Sequence, residues 1–209
     1  MVAPAPVPRS LAAFMLLYGG MTCLAGVLGN KQISVGPLAV EAGIFAFLLL
    51  VVLSSTVTEL YGKAEADRLV RFGFIPLLVA MLLFEIVLGL PASPTMEPAR
   101  LEGFQLVLAQ SPRLMAAGIV AYGVSQTINV YLFDSFRSRI GRLTWLRGAI
   151  AGMLSQAVDT VIFITLAFYG VFPIGELMLG QMIAKVTLSA LLVPLLISAF
   201  VALGRRLDA

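Results

Sequence analysis

Of 209 residues, 60% are hydrophobic and only 12% charged, and the mean hydropathy is +1.01. A soluble domain is about half apolar and about a quarter charged, so this chain has too little polar surface to cover a soluble globule. The net charge of +3 is sparse and sits in short loops, which argues for membrane topology rather than nucleic-acid binding. With no His and one Cys, Cys23, the composition excludes histidine metal sites, Ser-His-Asp or Cys-His catalysis and an intrachain disulfide.

Apolar runs of about 20 residues, rising 1.5 Å each, cross a hydrocarbon core about 30 Å thick. The chain starts with a Pro-rich tail over residues 1–10, expected to be disordered. The tail lacks the apolar core and small-residue cleavage site of a secretory signal, so the first span is expected to be retained. That span is Leu11–Gly29, where Gly19, Gly26 and Gly29 suit close helix packing. Asn30-Lys31 ends it, either as a helix stop or with both side chains reaching a cavity mouth. Gly36-Pro37 signals a turn. The second span, Ala42–Thr58, is closed by Glu59, and the third is Phe72–Leu90, where Pro76 starts or kinks the helix.

Prolines at 91, 94, 98 and 112 break the loop Pro91–Arg113 around Leu101, Phe104, Leu106, Val107 and Leu108. It reads as a short amphipathic helix lying flat in the interface and capping the outer mouth, with a functional lid as the alternative. The last spans are Leu114–Phe133, Ala149–Val171 and Leu177–Leu203, with Pro194 inside the sixth and a short tail over residues 204–209. The fold class is therefore all-α: a polytopic membrane protein with six transmembrane helices in one bundle and no separate soluble domain.

Basic residues give the orientation. Arg9, Lys63, Arg68, Arg71, Arg137, Arg139, Arg142, Arg147, Arg205 and Arg206 fall on one side, and Lys31, Arg100 and Arg113 on the other. The positive-inside rule then places both termini in the cytoplasm, and an even number of spans agrees with both ends being on one side. The Arg137–Arg147 loop reads as a topology determinant in contact with anionic lipid, with Trp145 as an interfacial anchor.

Charged groups at the centre of a span cost roughly 2.5–3.5 kcal/mol on insertion scales, so they usually face a cavity or a partner. Span four carries Ser125-Gln126-Thr127-Ile128-Asn129 followed by Phe133, and span five echoes it with Ser155-Gln156-Ala157-Val158-Asp159 followed by Phe163. Each Gln and its Asn or Asp are three residues apart, on one helix face, and the Phe extends that face. Both Gln residues lie about ten residues, or roughly 15 Å, from the cytoplasmic end. Two such stripes suit a planar polar ligand; the alternative is interhelical hydrogen bonding worth about 0.6 kcal/mol each. Lys185 in span six lies at the depth of Asp159, and an ion pair between them would lessen both burial costs. Glu85, nearer the outer end of span three, is equally readable as a snorkelling residue or a site residue.

Several segments together resemble the queuosine precursor transporter family. They are Thr58-Glu59-Leu60-Tyr61-Gly62, Arg113, Ser125-Gln126, Trp145-Leu146-Arg147, Ser155-Gln156-Ala157-Val158-Asp159-Thr160 with Phe163, and Lys185 followed by Pro194. Asn30-Lys31 also lies where that family tends to carry an Asn and, somewhat later, a Lys. The likeness runs from about Gly26 to Leu203, and order and spacing carry it. It implies a multi-pass inner-membrane importer of 7-deazapurines such as preQ0 and preQ1, which feed synthesis of a modified tRNA base. The site it implies comprises Gln126, Asn129, Gln156, Asp159, Lys185, Phe133, Phe163, Glu59 and Asn30. Asp159 could accept the N1–H and 2-amino pair of a guanine-like edge, and a Phe could cover the flat face. Two positions depart from the family pattern: Ser55 and Asn129 stand where acidic residues are expected. Both changes would remove negative charge from the cavity and favour a neutral ligand.

No nucleotide-binding Gly-x-x-x-x-Gly-Lys-Ser/Thr loop occurs, so the leading expectation is a secondary transporter without cofactor or metal. A substrate-capture subunit of a multi-subunit, ATP-driven vitamin importer is the alternative. An intramembrane enzyme using Lys185 and Ser189 has nothing else to support it. The partners expected are the small 7-deazapurine and the lipid bilayer, with no nucleic acid. The small-residue face of span one is open to internal packing or a homodimer.

Overall fold

The computed structural model describes residues 6–36, 38–109, 111–171 and 173–209. Residues 1–5 of the Pro-rich tail and Pro37 of the expected turn lie outside the described residues. The elements in chain order are α1 (Arg9–Gly29), β1 (Gln32–Val35), β2 (Leu38–Glu41), α2 (Ile44–Tyr61), α3 (Lys63–Gly89), α4 (Pro98–Leu108), α5 (Pro112–Ser135), α6 (Arg137–Ile140), α7 (Thr144–Phe168) and α8 (Gly175–Leu207). Among the described residues, six helices are long and apolar enough to cross a bilayer: α1, α2, α3, the continuous α5–α6 segment, α7 and α8.

Observed helices outrun the apolar runs because polar residues continue them past the hydrocarbon. α3 begins at Lys63, nine residues before its expected start at Phe72. Its first turns carry the pairs Lys63–Asp67 and Glu65–Arg68, spaced for helix-surface contact. α8 has 33 residues, about 50 Å at 1.5 Å each, well beyond what a bilayer core requires. Pro76 and Pro194 lie inside α3 and α8 and start neither. The third loop does form a helix, α4, with Pro98 in its first turn where a missing N–H costs nothing.

α2 is the central element. It is apolar on all sides, the pattern of a fully enclosed helix, and packs against α1, α3, α5, α7 and α8. Leu50, Leu53 and Val57 on α2 meet Phe14, Tyr18, Leu69 and Tyr122 in one core. Leu48, Val51 and Val52 meet Phe133, Val193 and Ile197 in the other. α3 is the opposite case, with Phe72, Ile75, Leu78, Leu82 and Ile86 on its surface. Such a surface has no counterpart on a soluble monomer and suits contact with lipid tails.

The start of α1 and the end of α8 lie at one end of the bundle. The Ser10 backbone N–H and hydroxyl donate to the two Asp208 carboxylate oxygens at 3.0 and 2.9 Å, and the Tyr61 hydroxyl bonds to both partners. This latch joins the first turn of α1, the last of α2 and the end of α8. The Tyr61 hydroxyl, then the Ser10 N–H, holds the Asp208 carboxyl below the usual carboxylate range. A depressed folded pKa contributes stability above the unfolded pKa that is lost as pH falls through the folded one. Asp208→Asn is therefore expected to lower thermal stability in detergent at neutral pH. The difference from the native protein should shrink to nothing once acidification protonates Asp208.

The fold also contains an element the sequence reading lacks. β1 and β2 form an antiparallel hairpin in the register Gln32↔Glu41, Ile33↔Val40, Ser34↔Ala39 and Val35↔Leu38. Gly36, at φ +60, supplies the left-handed residue of its turn. The hairpin lies at the end of the bundle away from the termini and packs against α8.

Candidate functional site

A cavity of about 220 Å³ occupies the half of the bundle farthest from the termini. Its walls are the last turns of α1, the start of α2, the second half of α3, the first half of α5, single residues from β2, α4 and α8, and Asp159 and Phe163 of α7. Leu108 at the end of α4 forms part of the rim. Asn30 ties α4 down: its Nδ2 donates to Val107 O at 2.9 Å, and also to the carbonyls of Gly26 and Val27 at 3.2 and 3.3 Å. Asn30 thus serves both of its sequence readings, capping α1 and lining the cavity mouth.

Asp159 and Lys185 line the cavity, and the ion pair expected between them is present, with Nζ 3.1 Å from Oδ2. Their side chains are only 7% and 10% exposed. Ser125 Oγ approaches the other carboxylate oxygen at 3.4 Å. Two glycines on α7 let α8 come close enough for this pairing. A Cβ at Gly152 would sit 2.8 Å from Ser189 Oγ, and one at Gly148 would sit 3.0 Å from Ile197. Phe163, one turn beyond Asp159, lines the cavity with its ring centroid 6.0 Å from Lys185 Nζ.

Gln126, Asn129 and Gln156 do not line the cavity. All are fully buried between α2, α5, α7 and α8, on the side of the ion pair nearer the termini. Asn129 Nδ2 donates to Ser54 Oγ and Ser55 Oγ, both at 3.0 Å, and Ser54 Oγ bonds Gln126 Oε1 at 3.2 Å. The two departures from the family pattern are therefore hydrogen-bonded to each other. Both amide atoms of Gln156, Gln126 Nε2 and Ser189 Oγ have no partner among the described residues. Each such buried group costs about 1–3 kcal/mol, so these are the groups with most to gain from a hydrogen-bonding ligand.

Phe133 and Glu59 belong to a different place. Both stand at the end of the bundle with the termini, organised by Arg147, which is 1% exposed. Its Nη1 donates to Glu59 Oε2 at 2.9 Å, and its Nε and Nη2 donate to Phe133 O at 3.1 Å. The guanidinium carbon lies 4.2 Å from the centroid of the Phe133 ring. The two sequence stripes do not form a symmetric cage because α5 and α7 are antiparallel. A Phe placed C-terminal to its polar pair points to opposite ends of the bundle on the two helices. Arg147 is also enclosed by protein, so it is not the lipid contact its loop position suggested.

Sequence reasoning missed Glu41, the last residue of β2. Strand alternation puts Val40 into the core and Glu41 on the opposite face, where it lines the cavity. Gly43 holds this corner against α1, since a Cβ there would lie 2.5 Å from Ala25 O. Burial pushes the Glu41 carboxyl above its usual range; the Lys185 charge pulls it down and Asp159 adds a smaller upward push. The signal that was available is an unpaired acid immediately before an apolar run. Arg113, counted for topology and for the family resemblance, donates to Leu166 O and Tyr169 O at 2.7 and 2.6 Å. It thereby satisfies carbonyls at the C-terminus of α7, where a cation also complements the helix dipole.

Residues 41–199 match a family model described as "Putative vitamin uptake transporter". The chain belongs to this transporter family. It is 30% identical over 158 residues to a protein of Bacillus subtilis (strain 168) named "Probable queuosine precursor transporter", covering 74% of this chain and 68% of that relative. No solved structure matches it. The resemblance stated from the sequence thus agrees with both comparisons, and the protein is a multi-pass membrane transporter rather than an enzyme. In this transporter the half with the cavity is open, whereas the half with the termini is tied shut at Ser10–Tyr61–Asp208 and at Glu59–Arg147–Phe133.

Proposed function

We propose that this transporter imports a 7-deazapurine precursor of queuosine, such as preQ0 or preQ1, across the inner membrane. With the Arg- and Lys-rich end cytoplasmic, the cavity faces outward, as capture from outside requires. The observation that carries the reading is the buried Asp159–Lys185 pair on the wall of a cavity otherwise lined mostly by apolar side chains. Asp159 Oδ2 accepts from Lys185 and Oδ1 faces Ser125, and a carboxylate held this way has lone pairs left to accept the N1–H and 2-amino group of a guanine-like edge. Phe163 offers a ring to the flat face of the base. Gln126 and Gln156, beyond the ion pair, hold unsatisfied amide atoms for the base as it moves toward the cytoplasm. The relative named for a queuosine precursor supports the same substrate class.

The test uses a strain that neither makes nor imports queuosine precursors. Expressing this chain and supplying preQ0, preQ1 or queuine should restore queuosine in tRNA. No restoration with any of them, despite protein in the membrane, would overturn the assignment.

A further inference from the structure

The charged residues lining the cavity are three carboxylates, Glu41, Glu85 and Asp159, and one ammonium, Lys185. Lys185 is committed to Asp159. Neither the Glu41 nor the Glu85 side chain has a hydrogen-bond or ion-pair partner among the described residues. Glu85 is exposed, but Glu41 is partly buried on the face of the hairpin that lines the cavity. A partly buried carboxylate whose nearest cation, Lys185, is already paired with Asp159 gains most from a cationic ligand group of its own. Ser55 and Asn129, whose neutrality would favour a neutral ligand, are hydrogen-bonded to each other behind the wall and line none of the cavity. Their neutrality therefore leaves the charges that line the cavity unchanged.

We propose that Glu41 determines specificity by receiving a cationic substituent of the bound base, so that the transporter selects a 7-deazapurine bearing an aminomethyl group over one bearing a neutral nitrile. This rests on the 7-deazapurine reading. An alkylamine titrates near the lysine value of about 10.4 and is cationic at neutral pH. The 7-substituent leaves the five-membered ring, on the side of the base away from its N1–H and 2-amino edge. A base that sets that edge against Asp159 therefore turns its substituent away from the ion pair. Glu41 is carried by a different element, β2, at the mouth side of the same cavity. Gly43, packed against Ala25 O, and the Ala42 N–H to Lys31 O bond at 2.8 Å hold that element in place.

The experiment measures uptake of the labelled aminomethyl and nitrile forms, separately and in competition, in the deficient strain. The native protein should prefer the aminomethyl form. Glu41→Gln should lower the aminomethyl-to-nitrile uptake ratio roughly tenfold, the value of one charge-assisted contact. Glu41→Asp, which keeps the charge, should hold the ratio near the native one. A ratio unmoved by Glu41→Gln, or one lost equally in both variants, overturns the proposal. Should Glu41→Gln fail to reach the membrane, a native protein that takes up the two forms equally overturns it. Transport of neither form by the native protein is a separate result: it removes the 7-deazapurine reading itself.

Discussion

Asp159→Asn is expected to abolish uptake while the protein still accumulates in the membrane. The amide is nearly isosteric, so the packing of α7 against α8 survives, but the acceptor pair for the base is gone and Lys185 loses its counterion. Losing one charge-assisted contact alone lowers affinity roughly ten- to a hundredfold. The pair itself is tested by exchange. Asp159→Lys sets two ammonium groups together and Lys185→Asp two carboxylates, so either alone should cut membrane accumulation. The double exchange should recover a large part of it, because opposite charges again face each other in a largely buried site. Accumulation of the double variant no better than that of either single would show that the pairing does not matter for folding.

The second large effect lies at the other end of the bundle. Arg147→Ala leaves the Glu59 carboxylate and the Phe133 carbonyl without their donor in a protein-enclosed setting. Removing one partner of such a pair costs about 3–5 kcal/mol, enough to deplete the folded protein, and thermal unfolding in detergent reads it directly. Arg147→Lys should recover little. A single ammonium cannot donate to Glu59 and Phe133 O in the same fork, nor stack its plane on the Phe133 ring. A fully stable lysine variant would mean that the node needs only charge.

Much of the bundle was legible because lipid imposes a length and an apolarity that soluble folds do not. Six spans and the Asp159–Lys185 contact follow from counting residues along helices of known rise. The failures share a cause: they are questions of neighbours rather than of depth. Phe133 and Phe163 occupy equivalent places in their sequence stripes, yet antiparallel packing sends one to Arg147 and the other to the cavity. Arg147 reads as one more loop cation until α2 supplies Glu59 against it. Glu41 sits on a four-residue strand, too short for alternation to declare itself, at the edge of an apolar run where a charge is ordinary. Gln126 and Gln156 both lie well inside their helices, but whether an amide faces a cavity or a neighbouring helix depends on rotation about the helix axis. Spacing within one helix does not report that rotation.

The central claim is that this chain by itself carries a 7-deazapurine through a path that begins at Asp159. Counterflow in liposomes containing only the purified protein tests it most directly. Vesicles loaded with unlabelled aminomethyl- or cyano-7-deazaguanine should draw in the labelled base without ATP or any partner, and Asp159→Asn vesicles should not. Labelled base entering native and Asp159→Asn vesicles alike, or entering native vesicles only when ATPase subunits are added, would contradict the account.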